Sequence, residues 1–464
     1  MPSVPLPTGF QSIEEFPRFK ENLVNMMNIG TNKVMQRAGV VGTGNAVGAC
    51  RGQIKFQDEL YQVSGTKLVK IAQDGTILQN ISDDFAIDVS GTGECIMSVG
   101  FTFLVIVVRG DRAYAWNNTT FVEITSNYVP AIDVTYINGR WVFIPADGSP
   151  AFFSDALDPT TIGATSFFDA ETQPDKNTGI VNLKERLYIL GEETIEVFRD
   201  TGTGTIPYQR IDGAAIWSGL LAGRTFYGNT FLILGKNKDN NFGIFAIGSG
   251  EATRISNSAI DELLNDEYTV EELETCIAQR LQWKGQDIAV FRLPRHTLNF
   301  NGIGWWFSAS IATFAETQVS GNDFKTWRVN YITHCYGEYY VGDVSTDDIG
   351  ILTDISTDYG DDIESGFDTF VRAERGSYFT VKSLELDGLA GQTTPERTIG
   401  LSVSGDGLTY GDFFYIGMGD TGEYQRRIEW ELPGGLGDYE NFMGIRIRTT
   451  APVDIAGEGL NAII

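Results

Sequence analysis

The stretch "RLYILGEETIEVFRD", residues 186–200, is two short apolar strands about a polar turn. The pattern recurs. It begins at Glu59 in "ELYQVSGTKLVKI", at Phe103 in "FLVIVVRGDRAYAWN" and at Arg140 in "RWVFIPADGSPAFFSD". It returns at Thr230 in "TFLILGKNKDNNFGIFAIG", at Asp287 in "DIAVFRLPRHTLNFN" and at Glu338 in "EYYVGDVSTDDIGILTD". Successive starts lie 44, 37, 46, 44, 57 and 51 residues apart. A hairpin repeat of about 40–50 residues is the pattern of β-propeller blades. Each unit has two apolar faces and cannot bury both alone, whereas stacking around an axis buries them and leaves only short edges. The expected fold is all-β: a propeller of seven blades, with six as the alternative. A run of unrelated hairpins in a sandwich is the competing arrangement.

The interval of 57 residues contains a helical insertion near 258–281, "SNSAIDELLNDEYTVEELETCIAQRL". Thr269 and Glu272 stand at capping-box spacing, and Leu273, Cys276, Ile277 and Arg280 continue a helical period. From Phe379 the grammar changes to longer alternating strands, read as a C-terminal β-sandwich over 366–464. The propeller is assigned 51–365, and the weakly periodic residues 1–50 are read as an arm packed along it. The acidic run with Asp354, Asp358, Asp361 and Asp362 lacks the D-x-D-x-D-G order of a calcium loop and is read as a solvated linker.

At 464 residues, with 42% hydrophobic and 12% aromatic content, the chain has ample material for packed cores. Its net charge of −27 argues against gripping nucleic acid by the phosphates; it is compatible with a wall that DNA slides past and equally with acidity for solubility. Cys50, Cys95, Cys276 and Cys335 are widely spaced, so neither a disulfide scaffold nor a zinc site is expected. No secretory h-region opens the chain, and the apolar run "FTFLVIVV" is too short to span a bilayer. A soluble protein made in a cytoplasm is expected.

Two stretches invite a chemical reading. "VFRLPRHTLNF", 290–300, sets His296 between Arg292, Arg295 and Thr297, yet offers it no orienting group or nucleophile. It is read as the bend of a hairpin around a structural histidine, with Arg292 and Arg295 expected to pair with carboxylates, within the blade or across a subunit boundary. "SGDGLTY", 404–410, resembles a shortened sialidase Asp-box, in which Ser404 and Asp406 bond the turn and Gly407 takes a conformation others avoid. It raises a propeller-containing glycan hydrolase as the alternative function. Phosphate loops, nucleophile elbows and HExxH are absent from the sequence. The pairs Glu192–Glu193 and Asp347–Asp348 read as exposed turns. No residue is assigned a catalytic, cofactor-binding or metal-ligating role, and no cofactor is expected.

Four stretches carry a family resemblance: "ENLVNMMN…MQRAGV", "GIVNLKERLYILGEETIEVF", "AIDELLNDEYTVEELETCIAQRL" with "IAVFRLPRHTLNFN", and "GEYQRRIEWELPGGLGDYENFMGIRIRTTAPVDIAG". Together they resemble the packaged-DNA stabilisation proteins, the tail hubs of short-tailed bacteriophages, although Ala38 stands where that family commonly has proline. The resemblance implies a non-enzymatic virion component in the tail, made in the host cytoplasm. It implies a homo-oligomeric ring, a hexamer, beneath the portal's adaptor ring. That ring would help to retain packaged DNA and to form the conduit for its ejection without sequence-specific binding. The implied partners are the adaptor, a tail needle or tip protein, and tailspikes or fibres.

Overall fold

In the computed structural model all residues are described except 1–2, 5, 14–15, 31–32, 170–174, 203, 238, 249, 311–325, 373–377, 432–438, 441, 453 and 464. Part of the last family-like stretch, 432–438, thus lies outside the described residues.

The segment 186–200 shows how the main body is built. Its hairpin partner Asn177–Leu183 reaches it through Lys184 and Glu185, both left-handed at φ 52° and 60°, a turn that suits the twist of paired strands. Arg186–Gly191 then pairs with Ile195–Asp200, and that strand with Tyr208–Arg210. Alternation sends Leu187, Ile189 and Phe198 to one side, where they pack with Val142, Ile144 and Phe153 of the preceding unit. Tyr188, Leu190 and Val197 go to the other side, against Phe231 and Ile233 of the following unit. Each such aliphatic side chain, fully buried, stabilises the fold by about 1.5–3 kcal/mol. Neither face is stable without a neighbour.

Among the described residues, seven four-stranded sets of this kind follow in chain order, over 50–80, 95–123, 131–168, 177–210, 219–254, 277–308 and 329–353. The seventh has three strands of its own and takes its fourth, Gly39–Asn45, from near the chain start. The first strand of each unit touches the first strand of the next, and Val329–Cys335 touches Cys50–Phe56, which closes the circle.

The helical insertion is shorter than the sequence period suggests. Helices span Ser258–Asp266 and Val270–Leu273, the latter with its capping box formed by Thr269 and Glu272. Ile277 begins a strand instead, Ile277–Trp283, which pairs with Gln286–Arg292 and opens the sixth unit. The hairpin explains the change: Lys284 and Gly285 are left-handed, and ladder pairing over seven residues overrides the weak helical period.

The remaining strands form a sandwich drawn from both ends of the chain. One sheet runs Phe16–Val24, Ser365–Arg372, Phe442–Thr449, Thr398–Ser404, Phe414–Gly417. The other runs Met26–Asn28, Lys33–Gln36, Asp454–Ile463, Ser383–Gly388, Ile428–Glu431. Leu23, Met27, Val34, Phe367, Leu384, Trp430, Ile445 and Leu460 share the core between them. The first sheet is continuous with the sixth unit, because Val24 pairs in parallel with Phe307. The first residues are therefore woven into the sheets rather than laid along the propeller as an arm, since their apolar strands complete two cores at once.

Candidate functional site

The His296 hairpin is the first place to look for chemistry. Leu293 N–H donates to the His296 carbonyl at 2.8 Å, so Pro294 and Arg295 form the tip. Proline pre-sets the turn and gives up no ladder bond there. His296 is buried; its Nδ1 lies 2.6 Å from the Tyr268 hydroxyl and its ring sits 5.4 Å from that of Phe307. Burial pushes the Tyr268 hydroxyl well above its ordinary range, so it stays protonated and tied to the imidazole. Arg295 covers the Tyr268 ring at 4.5 Å and reaches the Glu272 carboxylate at 3.4 Å and the Glu267 carbonyl. The cluster pins the helical insertion onto the sixth unit.

Within the chain, and among the described residues, the Arg292 guanidinium donates to the Asn330 side chain at 3.4 Å rather than to a carboxylate, and burial lowers its pKa. His334 is on the exposed side of the seventh unit, its ring 4.9 Å from Tyr339. Glu192 and Glu193 are exposed at a turn, while Asp348 accepts from Arg328 at 2.6 Å. Among the described residues no group of His, Cys, Asp and Glu is arranged to hold a metal ion. All four cysteines are free and buried.

"SGDGLTY" forms the local turn its sequence suggests. Asp406 Oδ1 accepts from Leu408 and Thr409 N–H at 2.8 and 2.7 Å, Ser404 Oγ accepts from Gly407 N–H at 2.9 Å, and Gly407 has φ 76°. The turn lays Tyr410 over Arg446 at 3.8 Å, and Arg446 with Arg448 is bound to buried Asp368. The box serves packing in the sandwich.

Around the axis, polar side chains stitch one unit to the next. Asp133 in the third unit accepts from Ile180 N–H of the fourth at 2.7 Å and pairs with Arg224 of the fifth. Gln279 of the sixth bonds the backbone of Asn330 and Ile332 in the seventh, and Asn330 donates to the Cys50 carbonyl of the first at 2.6 Å. Tyr331 reaches Glu94, at the entry to the second unit, at 3.4 Å.

A further buried polar cluster lies at the junction of ring and sandwich. Asn25, left-handed at φ 53°, stands where the chain crosses from one sandwich sheet to the other. Its side chain donates to the carbonyls of Ala309 and Glu364 at 3.0 and 2.7 Å and accepts from Ala309 N–H and from Arg37. Arg37 grips Asp358 through two bonds of 3.0 and 2.6 Å, with Trp327 stacked on the guanidinium at 4.6 Å and its indole N–H on the same carboxylate at 3.2 Å. Asp358 is only 4% exposed. The acidic run therefore is not a solvated linker at this position: the carboxylate is held in the interior because a buried arginine requires it. Asp354 and Asp362 are the solvent-side members, paired with Lys284 and Arg397. The junction was missed in the sequence; its sole signal was Arg37 within "MQRAGV".

Ring, woven sandwich and turn box together describe a scaffold, and the relatives agree. Residues 3–357 match the family model described as bacteriophage P22 Gp10, beta-propeller, and residues 364–464 match its beta-sandwich model. The chain belongs to the P22 Gp10 family of phage tail hub proteins. The tail hub protein gp10 of Salmonella phage P22 is 26% identical over 431 residues, covering 86% of this chain and 84% of that protein. Among solved structures, the N-terminal domain of Nup159 covers 74% of this chain and all of its own at 9% identity and a TM-score of 0.42. BamB from Moraxella catarrhalis covers 71% of this chain and 94% of its own at 10% identity and a TM-score of 0.39. The hub is a structural component of the virion tail with a propeller followed by a sandwich. No helix among the described residues is long and apolar enough to cross a membrane.

Proposed function

We propose that copies of this chain form a ring, a hexamer, below the portal's adaptor ring, which helps to retain packaged DNA and forms its conduit at ejection. The seven units are seven blades of a rigid body, and the observation that carries the reading is the weave of ring and sandwich through Asn25, Arg37 and Asp358. A part that bears the load of packaged DNA cannot have its two domains swing on a linker. Links that reach past a unit at the axis, from Arg224 to Asp133 and from Tyr331 to Glu94, favour a DNA path between copies rather than through one disc. The charge of −27 suits a wall that does not hold the phosphates. The adaptor, the needle or tip protein, and the spikes or fibres are the partners in this reading.

The same reading has no catalysis, because His296 is committed to a buried bond with Tyr268 and the Asp406 box to packing. Electron microscopy of the purified protein, alone and with its adaptor, should show a ring in at least the second sample. Strictly monomeric behaviour in both would overturn the proposal. Turnover of sialosides or capsule polysaccharides would overturn the non-enzymatic part.

A further inference from the structure

Arginines set inside this fold are matched at close range. Arg37 holds Asp358 at 2.6 and 3.0 Å, Arg328 holds Asp348 at 2.6 Å, and Arg446 and Arg448 share Asp368 at 3.1 and 2.9 Å. Arg51 donates to the carbonyls of Gly93, Gly65 and Ser90 at 2.7, 2.8 and 2.8 Å. Arg292 breaks this pattern. It ends the second strand of the sixth unit, opposite Ile277 at the start of the innermost strand. It therefore stands beside one end of the axis, where Asn330 of the seventh unit donates to the Cys50 carbonyl of the first.

A guanidinium carries five N–H donors. Nη1 of Arg292 reaches the Asn330 side-chain oxygen at 3.4 Å, longer than a usual N–H···O bond of about 2.7–3.2 Å. Nε is shut off from water and meets no acceptor among the described residues. A buried donor left unmet is costly, and a buried charge left unpaired more so.

The groups around it do not supply the missing charge. Burial pushes the Tyr331 hydroxyl and the Cys276 thiol well above their ordinary ranges, so both stay neutral. Asp343 is taken up by Arg328 and by the N–H groups of Ser345 and Thr346 at 2.8 and 2.9 Å. Glu94 is held by Arg109 at 3.2 Å and by the Tyr331 hydroxyl at 3.4 Å. Arg292 is half-buried, so water and what it carries reach part of the side chain.

We propose that Arg292 is the binding site for an oxyanion from outside the chain, a carboxylate or a phosphate, held by charge-assisted hydrogen bonds. Two sources share that chemistry. One is inorganic phosphate in solution. The other is a carboxylate of a second copy, which brings 61 acidic residues to any contact. The second source rests on the ring reading above, and the first does not.

The experiment compares the full chain with Arg292→Gln, which removes the charge and keeps a donor on the side chain. In chloride the two should melt within about 1 °C of each other, since an unpaired buried charge adds little to stability. At equal ionic strength, inorganic phosphate should raise the thermal midpoint of the unaltered protein saturably, by about 1–2 °C, and leave the variant unmoved. Ring assembly on the adaptor, counted by electron microscopy, then separates the sources. If a second copy supplies the carboxylate, phosphate competes with assembly, Arg292→Gln lowers ring yield about tenfold, and Arg292→Lys restores part of it. If the site takes a free ion, ring yield responds to neither.

An equal phosphate response in protein and variant would overturn the proposal. So would no response together with undiminished ring assembly by the variant. A midpoint lowered by several degrees in Arg292→Gln in chloride would also overturn it, because the chain itself would then be using the charge. Absence of any ring from the unaltered protein would overturn the ring reading and the second source with it, and would leave the phosphate measurement to decide the site.

Discussion

In the propeller a strand finds its partner a few residues away: Leu183 opposes Arg186, and Leu190 opposes Ile195. In the sandwich Leu23 opposes Phe367, and Met35 opposes Asp454. The first arrangement is a sum of similar local pieces, each leaning on its neighbours, so damage to one is shared round the circle. The second has local hairpins, such as Met26–Asn28 with Lys33–Gln36, but its sheets are joined by pairings between the two ends of the chain. Those pairings bring together strands more than 300 residues apart, and the chain ends meet beside one buried cluster at Asn25, Arg37 and Asp358. Repetition gives the ring tolerance; convergence makes the junction a point of failure.

The largest expected effect follows from that contrast. Asp358→Ala leaves the Arg37 guanidinium buried without its counter-charge, which typically costs about 3–5 kcal/mol. Urea unfolding should show the loss as one transition, since ring and sandwich depend on the same cluster. A cost under about 1 kcal/mol, on the scale of an exposed pair, would break the comparison. In the ring, Asp133→Ala takes an acceptor from Ile180 and Val134 N–H and a partner from Arg224. Arg224 is partly exposed and can turn to water, so about 1–3 kcal/mol is expected in the same assay. A loss larger than that of Asp358→Ala would reverse the ranking.

Smaller still is the hairpin that first looked like chemistry. His296→Gln keeps a polar group near the Tyr268 hydroxyl and should cost about 1 kcal/mol, the usual worth of one hydrogen bond. The thermal midpoint would move by a few degrees at most. Collapse of the protein, or loss of assembly without loss of stability, would give the histidine a role beyond packing.

These expectations also mark where the sequence could be read. The hairpin units were legible because their partners are adjacent and their turn residues, such as Lys184–Glu185 and Pro294–Arg295, act locally. The sandwich was legible from about Phe379, where strands alternate at length. Strands before it, including Gly39–Asn45 and Lys33–Gln36, gave no sign of their destinations, since pairing across 300 residues and more leaves no spacing to recognise. Asp358 failed for a related reason: the composition around it is that of a solvated loop, and only Arg37, 321 residues earlier, reveals that it is buried. Ile277 failed in the opposite direction, where a helical period was outvoted by a hairpin that a two-residue turn sets up.

The smallest effect separates local from convergent stabilisation by pH. Asp406 is held at about 2, below its usual 3.8, by N–H donation from Thr409 and Leu408 within its own turn. A depressed carboxylate stabilises the fold above its unfolded value and loses that contribution as the pH falls through its folded one. Unaltered protein and Asp406→Ala should therefore differ in thermal midpoint at pH 6 and converge between pH 4 and pH 2. The group is largely exposed, so the gap should be slight and confined to the sandwich. A gap that persists at pH 2 would mean that the turn is held by the packing of Tyr410 on Arg446, and that even this local-looking box depends on the convergent core beneath it.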